Sequence, residues 1–317
     1  MRAAVIDEQG LHLEPDRPIP EPAPGEVRIR TLLAGICNTD LEILHGYAGF
    51  QGVPGHEFVG LVDEAEETAL LGRRVVGEIN AGCGTCETCR AGRVTHCPNR
   101  TALGIRGRDG ALAEYFCLPR ANLHPVPDAI PDEAAVFAEP LAAACRIPEQ
   151  VHVGPSLRVV VLGDGKLGLL VAQVLALTGS RLTVVGRHPD KLSILARRGI
   201  ETRVEGQEPD GMADLVVECT GQPGGLAAAR RLLRPEGTLI LKSTYHGAVE
   251  FDFSRIVVDE VRVVGSRCGP FAPALRLLAQ GLVDVSSLVE AEYPLDQARA
   301  AFEHAGRKGA LKILVRP

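Results

Sequence analysis

The stretch Arg158-Val159-Val160-Val161-Leu162-Gly163-Asp164-Gly165-Lys166-Leu167-Gly168 decides the fold. It opens on four consecutive apolar residues, 159–162, the texture of a strand buried on both faces. Three glycines follow at G-x-G-x-x-G spacing, and residues 167–177 run on as an apolar helix. Strand, glycine turn and helix in that order give the motif its meaning. Glycines let the turn close tightly and let backbone approach a pyrophosphate, while the helix start offers unpaired N–H groups to the phosphates. Gly163, Gly165, Lys166, Leu167 and Gly168 are therefore candidate dinucleotide-binding residues.

Downstream the texture repeats. Strands are expected at 182–185, 215–217, 238–241 and 261–264, and helices at 191–198 and 225–233. Such alternation predicts a doubly wound parallel sheet. An acidic residue about 20 positions after the loop ordinarily binds the adenosine ribose hydroxyls. Here that place reads Val185-Gly186-Arg187-His188-Pro189-Asp190-Lys191, with no acid at the strand end. Gly186 would leave room for a 2′-phosphate, and the Arg187 guanidinium would bind it with paired hydrogen bonds. The expectation is NADP in preference to NAD, with Asp190 capping the next helix. His188, Lys191, Thr220 and Arg267 complete the candidate cofactor-binding set. Lys242, at the end of the strand 238–241, could contact cofactor or substrate or point to solvent.

Upstream, residues 1–140 are rich in strand and turn signals. Residues 27–33 alternate, short strands are expected at 59–62 and 74–76, and Thr39 opens a short helical turn, 39–44. Residues 80–100 show almost no apolar periodicity, yet hold Cys83, Cys86, Cys89 and Cys97. Four thiols within fifteen residues would form short, strained disulfide loops. A closed four-thiolate zinc site would instead staple a lobe that has no core of its own. Cys117, Cys219 and Cys268 are isolated and read as small buried residues. After 266 the alternating series ends. Helices at 274–280 and 295–304 and a strand at 310–315 are expected to return to the first domain. The boundaries are thus 1–140, 141–266 and 267–317.

Composition sets limits. The chain has 317 residues, 45% hydrophobic and 23% charged, enough for two ordinary domains. A formal net charge of −6 argues against nucleic acid as the main partner. No apolar run approaches a membrane span. The start, Met1-Arg2-Ala3-Ala4-Val5-Ile6-Asp7, is charged too early for a signal peptide, so a cytoplasmic location is expected.

The chain resembles the zinc-dependent medium-chain alcohol dehydrogenase family over nearly its whole length. The residues carrying the resemblance are Pro20-Glu21-Pro22-Ala23-Pro24-Gly25-Glu26-Val27, Gly35-Ile36-Cys37-Asn38-Thr39-Asp40, Gly55-His56-Glu57, the cysteine lobe, Glu139-Pro140-Leu141, the glycine loop and Ala310-Leu311-Lys312. It implies an α/β fold, a GroES-like β-rich catalytic domain joined to a Rossmann domain. It implies Cys37 and His56 as ligands of an open catalytic zinc, Glu57 as a carboxylate that approaches the metal, and Glu139 as the third protein ligand, as in the polyol, sugar and threonine dehydrogenase branch. Cys145, six residues beyond Glu139, could face the site or pack. Asp40 would orient His56, and Thr39 would relay the substrate proton.

The implied activity is hydride transfer between a polar secondary alcohol and NADP, with two zinc ions per chain, a small alcohol or carbonyl substrate, no nucleic acid or membrane partner, and a homodimer or homotetramer. Tyr47, Phe50 and Phe271 are candidate pocket linings. Two rivals stand beside this reading. A metal-free NADPH quinone or enone reductase of the same fold should lack Cys37, His56 and Glu139. A non-enzymatic zinc- and nucleotide-binding scaffold has no need of an open metal position.

Overall fold

The computed structural model describes residues 1–207, 212–244 and 249–317. The chain divides into two compact units, Met1–Glu139 with Phe271–Pro317, and Pro140–Pro270.

The first unit is built on a seven-stranded sheet. Its spine is the strand Glu26–Gly35, where Val27, Ile29, Thr31 and Leu33 are buried at alternate positions. That period of two is the signature of a strand with one face on a core. Glu57–Glu64 pairs with it antiparallel, Arg74–Gly77 lies beyond, and Tyr115–Pro119 covers the other edge of its first half. Across these strands Phe58 and Phe116 meet edge to face, 4.7 Å between centroids. The C-terminal strand Lys312–Arg316 joins this sheet, Leu314 opposite Gly35 and Val315 opposite Ala34. Ahead of it, residues 295–304 split into a 3-10 turn, Leu295–Gln297, and a helix, Ala298–Ala305. The hairpin Ala3–Asp7 with Gly10–Glu14 is an addition to the elements expected from sequence.

The second unit is a six-stranded parallel sheet in the order Glu201–Val204, Arg181–Gly186, Arg158–Leu162, Ala213–Glu218, Leu233–Leu241, Arg262–Gly265. That order reverses beside the first strand, the doubly wound pattern, with ligands expected at the carboxyl ends of the strands near the reversal. The helix Lys166–Ala176 follows the first strand, and nearly all of it is buried. Glu201–Val204 escaped the sequence reading because its residues, Glu-Thr-Arg-Val, carry no apolar pattern.

Two capping assignments are corrected. The N-cap before Asn38–Leu44 is Cys37, and Asp40 closes the turn from N3, so Thr39 sits inside the helix. Before Pro189–Ala196 the N-cap is His188 with proline at N1, and Asp190 lies in the first turn.

Candidate metal and dinucleotide sites

In the lobe, Cys83 and Cys86 precede the short helix Glu87–Arg90, Cys89 lies in it, and Cys97 follows a 3-10 turn. The four sulfurs lie within 4.8 Å of one another, and none is in a disulfide. Cys97 Sγ is 3.6 Å from Cys83 Sγ and 3.7 Å from Cys86 Sγ. A tetrahedron of thiolates around zinc has sulfur–sulfur edges of about 3.8 Å. The backbone N–H of Cys89 points at Cys86 Sγ, and that of Cys83 at Cys97 Sγ. The backbone N–H and hydroxyl of Thr85, with help from Cys86 N–H, hold the Cys83 thiol down to about 5, so this sulfur readily carries charge. The donor set fits a closed zinc site.

The second cluster joins the end of Glu26–Gly35 to the start of Glu57–Glu64. Cys37, His56 and Glu57 each place a ligand atom within 4.8 Å of the others, and His56 and Glu57 are buried. Asp40, fully buried, ties the two loops together. Its carboxylate accepts from Cys37 N–H at 2.7 Å and from Gly55 N–H at 3.1 Å. His56 Nδ1 lies 3.3 Å from Asp40 Oδ1, a charge contact without hydrogen-bond alignment. The imidazole also interacts with the Cys37 side chain. Burial opposes a charged imidazole, but the Asp40 carboxylate outweighs it and raises the His56 pKa well above its ordinary value. Conversely, burial would raise Asp40, and the His56 charge and the two N–H groups pull it down. A half-buried thiol with a buried imidazole and carboxylate, and a further carboxylate behind the imidazole, are a borderline donor set suited to zinc. Thr39 Oγ1 stands 3.8 Å from Cys37 Sγ at the edge of the cluster.

Sequence reading missed one member of this site. Lys312, 1% exposed in the C-terminal strand, pairs through Nζ with Glu57 Oε2 and lies 3.4 Å from the Ile36 carbonyl. Burial works against its charge, but Glu57 and Cys37 prevail, and its pKa is raised. The available signal was a lysine in an otherwise apolar strand. Glu139 and Cys145 are not gathered into the cluster of Cys37, His56 and Glu57. Both lie on the helix Ala138–Gln150, Glu139 half-buried in its first turn and Cys145 buried.

In the parallel-sheet unit, the glycine loop is a cradle. Gly163 has φ +118°, and a Cβ there would strike the Cys219 carbonyl at 2.7 Å. A Cβ at Gly168 would sit 2.1 Å from the Gly163 oxygen, whereas one at Gly165 would meet open space. The first and third glycines thus serve packing, and the second leaves the helix start uncovered, which fits a bound pyrophosphate. Thr220 and Arg267 follow the carboxyl ends of two other strands, on the same edge of the sheet as the loop. Thr220 Oγ1 is 2.5 Å from Glu218 Oε1. Lys191 is buried in Pro189–Ala196. Lys242 Nζ donates to the carbonyls of Ala143 and Arg267, at 2.8 and 2.9 Å, a tie between chain segments.

The strand end holds two findings that depart from expectation. The room beside Gly186 is filled by Asp164, since a Cβ at Gly186 would lie 2.5–2.6 Å from the Asp164 side chain. Arg187 pairs through Nε and a terminal nitrogen with Glu205, just past the strand Glu201–Val204. Both features that pointed to a 2′-phosphate therefore have protein partners.

Two family models match the chain. Residues 23–128 match the alcohol dehydrogenase GroES-like domain, and residues 167–280 match the zinc-binding dehydrogenase model. The chain is 31% identical to a sorbitol dehydrogenase of Halalkalibacterium halodurans, over 100% of this chain and 99% of that one. Among solved structures it resembles a zinc-binding dehydrogenase of Sinorhizobium meliloti 1021 bound to NADP, at 29% identity and TM-score 0.90, covering 100% and 99% of the two chains. It also resembles an alcohol dehydrogenase of Escherichia coli CFT073 complexed with NADH, at 27% identity and TM-score 0.91, with the same coverage.

Proposed function

The chain belongs to the zinc-dependent medium-chain alcohol dehydrogenase family, and on that premise we propose that it oxidises a polar secondary alcohol, reversibly, with a nicotinamide dinucleotide. The observation that carries this reading is the cluster of half-buried Cys37 with buried His56 and Glu57, tied by Asp40. Cys37 and His56 would hold a catalytic zinc, with Glu57 able to approach it and Glu139 as a further ligand. Zinc there supplies Lewis acidity that eases loss of the alcohol proton. Bound nicotinamide supplies the hydride acceptor.

The chain's own residues do the rest. Thr39 takes the alcohol proton at Oγ1 and passes it outward. Asp40 fixes the direction of the His56 ring and the positions of the Cys37 and Gly55 backbones. Lys312 pairs with one oxygen of Glu57 and so would fix the position and charge of that carboxylate beside the site. Cys83, Cys86, Cys89 and Cys97 would hold a second, closed zinc that shapes the lobe and takes no part in turnover.

The sorbitol dehydrogenase likeness supports the polyol or sugar class, and so would Glu139 if it joined the cluster as a carboxylate ligand. A site richer in carboxylate is harder and suits a substrate with a second oxygen beside the reacting one. The low aromatic content, 4% with no tryptophan, agrees with a polar rather than an aliphatic substrate. The test compares kcat/KM for vicinal diols and sugar alcohols with matched mono-alcohols. The diols should lead by roughly tenfold or more, about one good hydrogen bond to a charged group. Equal or better efficiency on mono-alcohols would overturn the substrate class.

A further inference from the structure

The glycine loop carries an acid where its neighbours in the motif are glycines. Asp164 stands between Gly163 and Gly165, its side chain reaches across to the next strand, and it is only 6% exposed. Asp164 Oδ2 accepts from the backbone N–H groups of Arg187 at 2.7 Å and His188 at 2.6 Å. His188 Nδ1 lies 3.1 Å from both carboxylate oxygens. Gly186 is what permits this, since any side chain there would collide with Asp164. The carboxylate comes from the first strand's loop, yet it occupies the end of the second strand, where an acid of that strand would otherwise stand.

From this arrangement, and resting on the dinucleotide reading above, we propose that Asp164 is the specificity-determining carboxylate of the cofactor site, and that it selects NAD(H) over NADP(H). The ribose of NAD carries two hydroxyls that can donate to a carboxylate. Among the described residues Asp164 Oδ1 is contacted by the His188 ring, and it keeps lone pairs to receive them. The ribose of NADP carries a dianionic phosphate instead. The two N–H groups at the strand end that would bind it are already spent on Asp164. The neighbouring guanidinium of Arg187 is paired with Glu205, so the phosphate would meet two acids and no uncommitted backbone N–H at 187 or 188. The Arg187–Glu205 pair is about half exposed, so it adds a weak, screened contribution, and the buried Asp164 carries the larger part.

The test is direct titration of zinc-loaded protein with NADH and NADPH, followed by calorimetry and by fluorescence of the reduced nicotinamide. Wild type should bind NADH tighter than NADPH by roughly tenfold or more. Asp164→Asn keeps the size and removes the charge. It should weaken NADH, strengthen NADPH and shift the ratio of the two dissociation constants by roughly tenfold. Glu205→Gln, on an exposed side chain that leaves the fold intact, should strengthen NADPH and leave NADH unchanged. Tighter binding of NADPH by wild type would overturn the inference, as would equal effects of Asp164→Asn on both cofactors. Binding of neither would remove the dinucleotide reading itself, and the inference with it.

Discussion

Lys312 shows how a single residue reports on the metal site. An ammonium 1% exposed must be paired, and its partner is Glu57, itself buried beside Cys37 and His56. Removing one member of such a pair leaves an uncompensated buried charge, which costs more than the pair itself contributes. Lys312→Met should therefore destabilise zinc-loaded protein by about 3 kcal/mol or more in urea unfolding. Adding Glu57→Gln should recover much of that loss. A single variant as stable as wild type would show that the pair is not formed in solution. Asp164 teaches the same lesson at the cofactor site. It is an acid whose meaning lies in two N–H groups 23 and 24 residues away.

At the scale of the element, the lobe around residues 80–100 depends on its sulfurs. Its only helix is Glu87–Arg90, its strands Asn80–Ala81 and Thr101–Ala102 are two residues each, and its thiols sit at zinc spacing. Short segments of this kind do not hold their form without a staple. Cys89→Ser is expected to lose one zinc per chain and to loosen the backbone around Arg90, Arg93 and Arg100, so that trypsin cuts there faster. Limited proteolysis with metal analysis checks this, and an unchanged cleavage rate would contradict the structural role. The lobe was legible in sequence because cysteine spacing is local. The parallel sheet was legible for the same reason, through 159–162 and its repeats. What sequence did not disclose were contacts that local pattern does not encode. Asp164 filling the room at Gly186, Glu205 on a strand without apolar pattern and Lys312 under Glu57 all depend on register between distant strands. Thr39 and Asp190 looked like helix caps, but the N-cap stands two residues earlier in each case.

At the scale of the whole molecule, the two units divide the chemistry. The first unit offers two clusters that could hold a metal, one of four thiols and one of thiol, imidazole and carboxylate. The parallel unit offers a glycine loop with an uncovered helix start and a carboxylate at its strand ends. Among the described residues no helix is long and apolar enough to cross a membrane. Alcohol oxidation needs both halves of this inventory, a group that eases proton loss and a group that accepts hydride. The most direct test is the rate of nicotinamide reduction on a panel of polyols and secondary alcohols, by protein whose zinc has been counted before and after chelation. The account predicts two zinc ions per chain, one for each cluster. It predicts turnover on at least one polyol that disappears when the Cys37–His56 metal is removed and returns with added zinc. Undiminished turnover by metal-free protein, or no nicotinamide reduction with any alcohol by fully loaded protein, would contradict it.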